Sequence, residues 1–254
     1  MQKAREPADP GQSLIEISGV SKQFRGSSVF AVRDVSFSAA RGEIIGLIGE
    51  NGAGKSTLLR MMATMLSPSS GSVRICGYDA AAEGEAVRRS IGILFGQSGG
   101  LYERLSAREN ILYFARLNGM EKGDAERRLT QICSLLDMED FLDRRAGTFS
   151  TGMRQKTLIA RSIIHDPEVL MLDEPSSGLD VTAARNIHGF IEQYKGLNKT
   201  IVFSSHDLHT VERIADRVLL LHKGRLLNHE TVAGVKTGGS LEERFFSMMK
   251  AGKE

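Results

Sequence analysis

The segment from residue 49 to residue 57 constrains the fold most, because its sequence, GENGAGKST, matches the pattern G-x-x-x-x-G-K-[ST]. A short apolar run, residues 44–48, precedes it, and apolar residues at helical spacing, residues 58–66, follow it. A buried strand, a glycine-rich loop and a helix in this order are typical of a phosphate-binding loop. The residues that we expect to bind phosphates are Gly49, Glu50, Asn51, Gly52, Ala53, Gly54, Lys55, Ser56 and Thr57.

The residue types of this loop fit the chemistry of phosphate binding. Backbone N–H groups approach phosphate oxygens closely only where side chains are out of the way, which favours glycine. The helix that follows adds N-terminal amides and the positive end of its dipole. Lys55 supplies a mobile positive charge for the terminal phosphates, and the Ser56 hydroxyl is a ligand for Mg²⁺. The competing interpretation is a chance glycine turn, which the flanking strand and helix disfavour.

Strand-like apolar runs alternate with helical patterns along most of the chain. Further strands are predicted around residues 91–94, 169–172 and 200–203, with a helix from about 183 to 194. This alternation predicts an α/β fold with a mostly parallel sheet. Residues from about 102 to 145 carry helical spacing throughout and begin with a capping-box pair, Ser106 and Glu109, so they predict a helical insertion.

Two carboxylates follow the predicted strand at 169–172. They are Asp173 and Glu174, and Pro175 comes next. Ligands of parallel sheets gather at the carboxyl ends of the strands, where the phosphate loop also begins. We therefore predict that Asp173 binds Mg²⁺ together with Ser56, and that Glu174 orients or deprotonates a water molecule attacking the γ-phosphate. Taken without the loop, the same triplet would equally well open a surface turn.

Two further polar residues end predicted strands. His206 follows the strand at 200–203, and Gln97 follows the strand at 91–94. We predict that His206 donates to the γ-phosphate or steadies the attacking water. The amide oxygen of Gln97 is predicted to contact the nucleotide site and to complete the Mg²⁺ ligands. A structural role is the competing interpretation for a lone histidine or glutamine.

Composition narrows the class of protein. The 254 residues carry a formal net charge of only +2, so we expect no nucleic-acid partner and no basic membrane-binding surface. The two cysteines, Cys76 and Cys133, form neither a metal-ligand pair nor a disulfide framework, and no metal other than Mg²⁺ is predicted. No apolar run approaches the roughly 20 residues of a membrane-spanning helix. The polar residues 1–12 are predicted to be a flexible tail.

The order of these motifs resembles that of the nucleotide-binding subunit of an ABC transporter. The resemblance covers residues from about 14 to 226, and it is specific because a second serine-glycine motif lies between the phosphate loop and the acidic strand. The motifs stand in the order phosphate loop, Gln97, Phe149-Ser150-Thr151-Gly152-Met153, Asp173-Glu174, Ser177-Gly178-Leu179-Asp180 and His206.

The second serine-glycine motif resembles the ABC signature in a variant form. Thr151 replaces the usual first glycine and Met153 replaces the usual glutamine, while Ser150 and Gly152, the two positions expected to touch phosphate, are retained. This variant is similar to that of sodium-extruding, NatA-like exporters and their multidrug relatives. The resemblance therefore implies export, of a sodium ion or of a drug-like or lipid-like substrate.

The resemblance implies a mechanism that needs two copies of the chain. The copies would form a homodimer, paired head to tail around two MgATP, with Ser150 and Gly152 of one copy facing the ATP held by Lys55 of the other. The predicted helix from 151 to 164 would direct its first amides at that nucleotide. ATP binding would close the pair and hydrolysis would reopen it. Asp180 would lie at the interface, although by itself its segment indicates an ordinary turn and helix cap.

The resemblance also implies a domain organisation. The fold would be a P-loop NTPase (RecA-like) parallel-sheet core with an antiparallel β subdomain and an inserted α-helical subdomain at about 98–162. The ATPase domain would span 13–229, and residues 230–254 would form a C-terminal extension. Phe24 would stack on adenine. The competing interpretation is that its ring lies in the core or is half-exposed without contacting a ligand.

A membrane partner follows from the same resemblance. A groove near residues 97–103 would take a helix of a transmembrane permease subunit, which would place the chain at the cytoplasmic face of the cell membrane. The competing interpretation of Ser98-Gly99-Gly100-Leu101-Tyr102 is a flexible loop.

Three alternatives to a transporter subunit stay open at this point: a soluble ABC-type ATPase, a small-molecule kinase or GTPase, and a non-catalytic nucleotide binder. A soluble ABC-type ATPase of translation usually carries two such domains, and one of DNA repair needs a long coiled coil in the insertion. A small-molecule kinase or a GTPase would leave the signature and His206 without a role. A non-catalytic nucleotide binder would not need Glu174 and His206 together.

Overall fold

The structure of the protein is a computed structural model that describes residues 13–95, 100–236, 241–243, 245 and 247. The predicted tail at 1–12 and the predicted site residue Gln97 lie outside the described residues. The strands are β1 (Ser13–Gln23), β2 (Phe30–Ala40), β3 (Ile44–Ile48), β4 (Ser70–Ile75), β5 (Tyr78–Asp79), β6 (Ile91–Phe95), β7 (Val169–Asp173), β8 (Thr200–Ser205), β9 (Arg217–His222) and β10 (Arg225–Thr231). The helices are α1 (Lys55–Met62), α2 (Gly84–Ser90), α3 (Ala107–Leu117), α4 (Lys122–Leu136), α5 (Thr151–Ile163), α6 (Val181–Gly196), α7 (Leu208–Ile214) and α8 (Val232–Lys236).

The larger sheet has the strand order β10-β9-β3-β8-β7-β6. Strands β9, β3, β8, β7 and β6 run parallel, and β10 pairs antiparallel with β9 at the edge. The predicted parallel α/β core is therefore confirmed. Because β3 lies between β9 and β8, the loop that follows it opens at the middle of the carboxyl edge of the sheet.

The central strands are apolar throughout because both faces of the sheet are covered. Every residue of β3, β7 and β8 is buried. Alternate residues of β3 join different clusters: Ile44 and Ile48 pack into the core on the helical-insertion side, and Ile45 and Leu47 into the core beneath the smaller sheet. A side-chain period of two along the strand produces this division.

The smaller sheet is antiparallel, with the order β2-β1-β4-β5. It packs through residues such as Ile15, Val35 and Ile75 against helix α1 and one face of the larger sheet. An antiparallel β subdomain was implied by the family resemblance, and its presence is confirmed. Helix α1 ends at Met62, earlier than the apolar spacing to residue 66 predicted, and Thr64 then adopts a left-handed conformation with φ of 58°.

Helices α3, α4 and α5 form the inserted helical part. The predicted capping box is confirmed: the Glu109 amide donates to Ser106 Oγ at 3.1 Å, and the Ser106 amide donates to Glu109 Oε2 at 2.7 Å. Buried residues on the three helices, among them Ile111, Leu129 and Ile159, share one core with the near face of the larger sheet. The insertion is therefore packed on the core rather than extended from it.

Described residues beyond β9 also pack on this core. Strand β10 continues to Thr231, so the predicted boundary at residue 229 lies within it. The Val232 amide donates to the Asp216 carbonyl at 2.8 Å, and Val235 and Leu241 are buried. Across the residues that the structure covers, none of the helices combines the length and apolar character that crossing a bilayer requires.

Candidate nucleotide site

The loop between β3 and α1 takes its shape from the strands around it. A Cβ on Gly49 would approach the Leu221 carbonyl oxygen to 2.3 Å, and one on Gly54 would approach the Ala31 carbonyl oxygen to 2.4 Å. Gly54, with φ of 106°, caps the N-terminus of α1. Side chains at either position would push the loop off β9 and β2, which explains why the motif needs glycine there.

The Lys55 side chain folds back over this loop. Its Nζ donates to the Gly49 carbonyl at 2.7 Å and to the Glu50 carbonyl at 3.2 Å. Burial lowers the pKa of the Lys55 ammonium, while the negative charges of Glu174 and Asp173 partly offset that effect. The ammonium is thus anchored at the mouth of the loop and electrostatically linked to both carboxylates.

Residues from three separate parts of the chain, including Ala31 of β2, line one cavity of about 160 Å³ at the loop. The loop supplies most of the lining, and the end of β7 supplies a carboxylate. The structure therefore brings the predicted phosphate ligands and the predicted hydrolytic glutamate together. The lining residues are Ala31, Asn51, Gly52, Ala53, Gly54, Lys55, Ser56, Thr57 and Glu174.

A residue of the next strand, Ser204 of β8, contacts both predicted acidic residues, one through its carboxylate and the other through its backbone amide. Ser204 Oγ donates to Asp173 Oδ1 at 2.6 Å and accepts from the Glu174 amide at 2.9 Å. Glu174 has a φ of 50°, in the left-handed region that is unfavourable for a residue with a side chain. Ser204 was not predicted as a site residue, because its contact with Asp173 depends on the pairing of β7 with β8.

The side chain of His206 contacts that of Glu174. Its Nδ1 lies 3.2 Å from Glu174 Oε2, and its side chain is largely exposed. An imidazole and a carboxylate therefore stand side by side at the carboxyl edge of the sheet. This contact joins the end of β8 to the end of β7 through side chains as well as through the sheet.

A second cavity, of about 300 Å³, lies between the loop and the C-terminal residues. Its lining includes Gly49 and His206 on one side and Glu242 and Phe245 on the other. No local pattern predicted that residues beyond 240 would reach the nucleotide site, because that approach depends on how the C-terminal segment packs.

The signature motif lies at a third cavity, of about 560 Å³. Ser150 caps α5, with its Oγ accepting from the Met153 amide at 3.2 Å. Asp180 caps α6, with its Oδ1 accepting from the Ala183 amide at 2.8 Å. Ser150, Gly152 and Asp180 line this cavity, and among the described residues none is shared with the cavity at the phosphate loop. One chain therefore presents the phosphate loop and the signature motif at two separate cavities.

Phe24 lies in the turn after β1 and is 47% exposed. Lys22 Nζ is 5.6 Å from the centroid of its ring. The ring is therefore not a core residue, and its face is available to a planar ligand as well as to a cation. Its predicted contact with adenine stays a prediction.

Comparisons with known proteins agree with this geometry. The family model described as "ABC transporter" matches residues 32–177. The chain is 43% identical over 216 residues to the ABC transporter ATP-binding protein NatA of Bacillus subtilis, an alignment that covers 84% of this chain and 88% of the relative. It is 36% identical over 213 residues to the Nod factor export ATP-binding protein I of a Rhizobium species, covering 84% and 69%.

A solved structure supports the same assignment. The ATP-binding subunit of an ABC transporter superposes with a TM-score of 0.83 at 31% identity, covering 93% of this chain and 99% of that one. The motif order, the geometry of the phosphate loop and these matches lead to one conclusion: the chain belongs to the ABC transporter family, as one of its ATP-binding subunits.

Proposed function

We propose that this chain hydrolyses ATP to drive a separate transmembrane subunit. The observation that carries the proposal is the cavity in which Lys55, Ser56 and Glu174 meet. The lysine and the loop amides suit a polyphosphate, and the glutamate stands where a water molecule would attack its terminal phosphorus. Phosphate release from MgATP by the purified chain tests this function, and a chain that binds ATP without any release would contradict it.

Mg²⁺ fits the oxygen ligands offered by Ser56, which lines this cavity, and by Asp173 at the end of β7. The Ser56 hydroxyl and the Asp173 carboxylate are hard donors, and Ser204 occupies one carboxylate oxygen of Asp173. In the described parts of the chain, no group of three or more His, Cys, Asp or Glu residues is placed to hold a metal. The ion would therefore depend on the nucleotide phosphates for further ligands, and when bound it would neutralise their negative charge. Gln97 stays a predicted additional ligand.

The residues around the cavity account for the hydrolytic step. Glu174 would accept a proton from water while the water oxygen bonds to the γ-phosphorus and the bond from that phosphorus to ADP breaks. His206, within 3.2 Å of Glu174, would hold the glutamate and donate to the departing phosphate. Lys55 would stay with the phosphates through the reaction. Each role uses a side chain that already lies at the carboxyl edge of the sheet.

The separation of the cavity at the phosphate loop from the cavity at the signature motif supports a head-to-tail homodimer as the active form. Helix α5 begins at the signature cavity with the uncharged cap Ser150, so its first amides and its dipole favour an anion there. The N-terminus of α6 at the same cavity is already capped by the Asp180 carboxylate. The anion that fits this arrangement is the terminal phosphate of ATP bound to the partner. Each ATP would then lie between the loop of one copy and Ser150 and Gly152 of the other.

Mixing two inactive variants tests the head-to-tail arrangement. In Ser150→Asp the new carboxylate can still cap α5 but repels the partner's phosphates, while Lys55→Ala disables the loop. A mixed pair then contains one intact composite site, so an equal mixture is expected to recover about a quarter of wild-type activity if pairing is random. ATPase measurements on each variant alone and on the mixture provide the test.

The control for this mixture is Ser150→Thr, which keeps both the cap and the hydroxyl and is expected to stay active alone. Mixed dimers are verified by pulling down one tagged variant with the other. Verified mixed dimers without activity would contradict independent composite sites.

A set of exposed aromatic and aliphatic side chains on the helical insertion supports a permease contact. Tyr102, Tyr113 and Leu117 are 50%, 42% and 63% exposed, and the two tyrosine rings pack edge to face at 5.3 Å. Beside them, the Arg161 guanidinium lies 4.2 Å from the Phe114 ring centroid. We propose that this surface takes a helix of the transmembrane permease, which would hold the chain at the cytoplasmic face of the membrane.

Replacing Tyr113 with Asp tests the permease contact. The new carboxylate would lose its contact with water when a permease helix covers this surface. The membrane-bound fraction of the chain in its native host is therefore expected to fall about tenfold. ATP binding should not change. Leu197→Asp is the matched control, because Leu197 is 52% exposed at the end of α6. Equal membrane binding by the Tyr113 variant and the wild type would show that this surface is not the contact.

Export is the direction that we propose. The relative from Rhizobium is an export ATP-binding protein by its name, and the Thr151 and Met153 variant of the signature resembles that of sodium, drug and lipid exporters. Transport by the complete complex in inverted vesicles tests the direction. Accumulation of the transported substrate inside those vesicles is the expected result, and ATP-driven loss of that substrate from them would contradict export.

A further inference from the structure

Ser204 is a fully buried hydroxyl at the junction of the two strands that carry the hydrolytic machinery. It lies directly opposite Asp173 in the parallel pairing of β7 and β8, and its relative exposure is 0%. Neighbours in parallel register direct their side chains to the same face of the sheet. This places the Ser204 hydroxyl against the Asp173 carboxylate and under the backbone of Glu174.

The two hydrogen bonds of Ser204 have a defined direction. A hydroxyl has one hydrogen, and at 2.6 Å from Asp173 Oδ1 that hydrogen is donated to the carboxylate. The hydroxyl oxygen is then the acceptor for the Glu174 amide at 2.9 Å. The result is a short chain from the Glu174 N–H through the Ser204 O–H to the Asp173 carboxylate, in which each bond polarises the next.

This chain of bonds acts on a strained residue. Glu174 has a φ of 50°, a conformation that persists only where surrounding contacts hold it. The amide held by Ser204 is the amide of Glu174 itself, so the bond fixes the backbone on which the side chain of the proposed base depends. Without the hydroxyl, the backbone at this turn has one restraint fewer against relaxing toward a common conformation.

We infer that Ser204 is a positioning residue for ATP hydrolysis, which ties the Asp173 carboxylate to the backbone of Glu174. Its side chain is fully buried and is not among the residues that line the cavity at the loop, so we assign it no direct part in the reaction. It would act by holding the Asp173 carboxylate and the proposed base in one fixed relation. The inference rests on the proposed function, since it assigns Ser204 a part in the reaction that Glu174 performs.

Replacing Ser204 with Ala tests whether its hydroxyl positions the proposed base or only provides hydrogen-bond partners for buried polar groups. The variant is expected to lower kcat for MgATP by about 10- to 100-fold, because small displacements of a base are costly to rate. Its affinity for ATP in the presence of EDTA should stay within about threefold of wild type, since the loop and Lys55 are untouched. Ser204→Thr keeps a hydroxyl and should recover most of the rate.

A second readout does not depend on turnover. Hydrogen exchange at the Glu174 amide, followed in the nucleotide-free protein, is expected to accelerate about tenfold or more in Ser204→Ala, because the acceptor is gone. Should the Ala variant fold poorly, Ser204→Cys keeps nearly the same shape with a much weaker donor and acceptor, and the same two results are expected of it.

Thr200→Ala is the matched control. Thr200 lies on the same strand at its other end, is equally buried, and likewise bridges two groups, donating to the Ala40 carbonyl at 2.9 Å and accepting from the Gly42 amide at 3.1 Å. Its loss should lower the melting temperature without changing kcat or exchange at Glu174. A purely structural role for Ser204 predicts that Ser204→Ala likewise lowers the melting temperature and leaves kcat unchanged, even though the Glu174 amide exchanges faster.

The outcomes are distinguishable from failure of the proposed function. Wild-type protein that releases no phosphate refutes ATP hydrolysis, and the inference with it. Active wild type with Ser204→Ala turning over at the wild-type rate refutes only the role of Ser204. A slow Ala variant that Thr restores, with rapid exchange at Glu174 and an unaffected Thr200→Ala, establishes it.

Discussion

Replacing Glu174 with Gln is expected to lower ATP turnover by about 10²- to 10⁴-fold, the range typical for loss of a general base. The amide has the shape of the carboxylate but does not accept the proton of an attacking water. The variant should also keep the backbone φ of 50° and the hydrogen bond from the backbone N–H of residue 174 to Ser204 Oγ, so the surrounding structure should not change. Phosphate release under saturating MgATP measures the effect.

ATP affinity of the Glu174 variant should stay near that of the wild type or increase. The cavity at the loop loses a negative charge, which removes a repulsion from the phosphates. Because hydrolysis is blocked, ATP should also accumulate in a stable dimer, which size-exclusion chromatography detects. Glu192→Gln, an exposed glutamate on α6, is the control for a neutralised carboxylate outside the site. Normal hydrolysis by Glu174→Gln would remove the assignment of the base.

Replacing Lys55 with Ala is expected to weaken ATP binding about 100-fold. The ammonium makes two hydrogen bonds to loop carbonyls, at 2.7 and 3.2 Å, and is ready to exchange them for phosphate oxygens. Charge-assisted bonds contribute about 1.5–3 kcal/mol each, and 1.4 kcal/mol corresponds to a factor of ten in affinity. Titration calorimetry with ATP measures the change, and unchanged affinity would count against the loop as the phosphate site.

Although removing the Lys55 charge should weaken ATP binding, it should not lower the stability of the folded chain. Because burial lowers the pKa of Lys55, the folded chain disfavours its charged form. A lysine with a depressed folded pKa lowers stability at neutral pH, and this penalty disappears as the pH rises toward the pKa of the unfolded chain. Lys55→Met, which keeps the length without the charge, is therefore expected to leave the melting temperature at pH 7 unchanged or higher. Lys195→Ala, at an ion pair on α6, is the control lysine.

Much of the architecture was predictable because local patterns carried it. Residues 44–48 are apolar without alternation, which is the pattern of a strand covered on both faces, and β3 is such a strand. The spacing of Ser106 and Glu109 identified the start of a helix, since a capping box needs only local geometry. The glycines at 49 and 54 stand where β9 and β2 leave no room for a side chain.

The residues near the site that were missed have no local signature. Ser204 is significant because β8 pairs with β7 in a register that sets it opposite Asp173, and that pairing joins segments 31 residues apart. Phe245 and Glu242 reach the cavity at Gly49 and His206 only because the C-terminal segment packs beside the loop. Neither contact has a periodicity or a motif that a single sequence displays.

The sequence alone determined which chemical groups this protein possesses: a glycine loop with Lys55, carboxylates at a strand end, and a second serine-glycine motif. It did so because each is encoded in a few consecutive residues. Tertiary structure decided how they meet, bringing Glu174 into the loop cavity and beside His206 while setting the cavity of Ser150 apart from it. The physical reason is that strand order and register arise from long-range pairing and packing, which are properties of the whole folded chain.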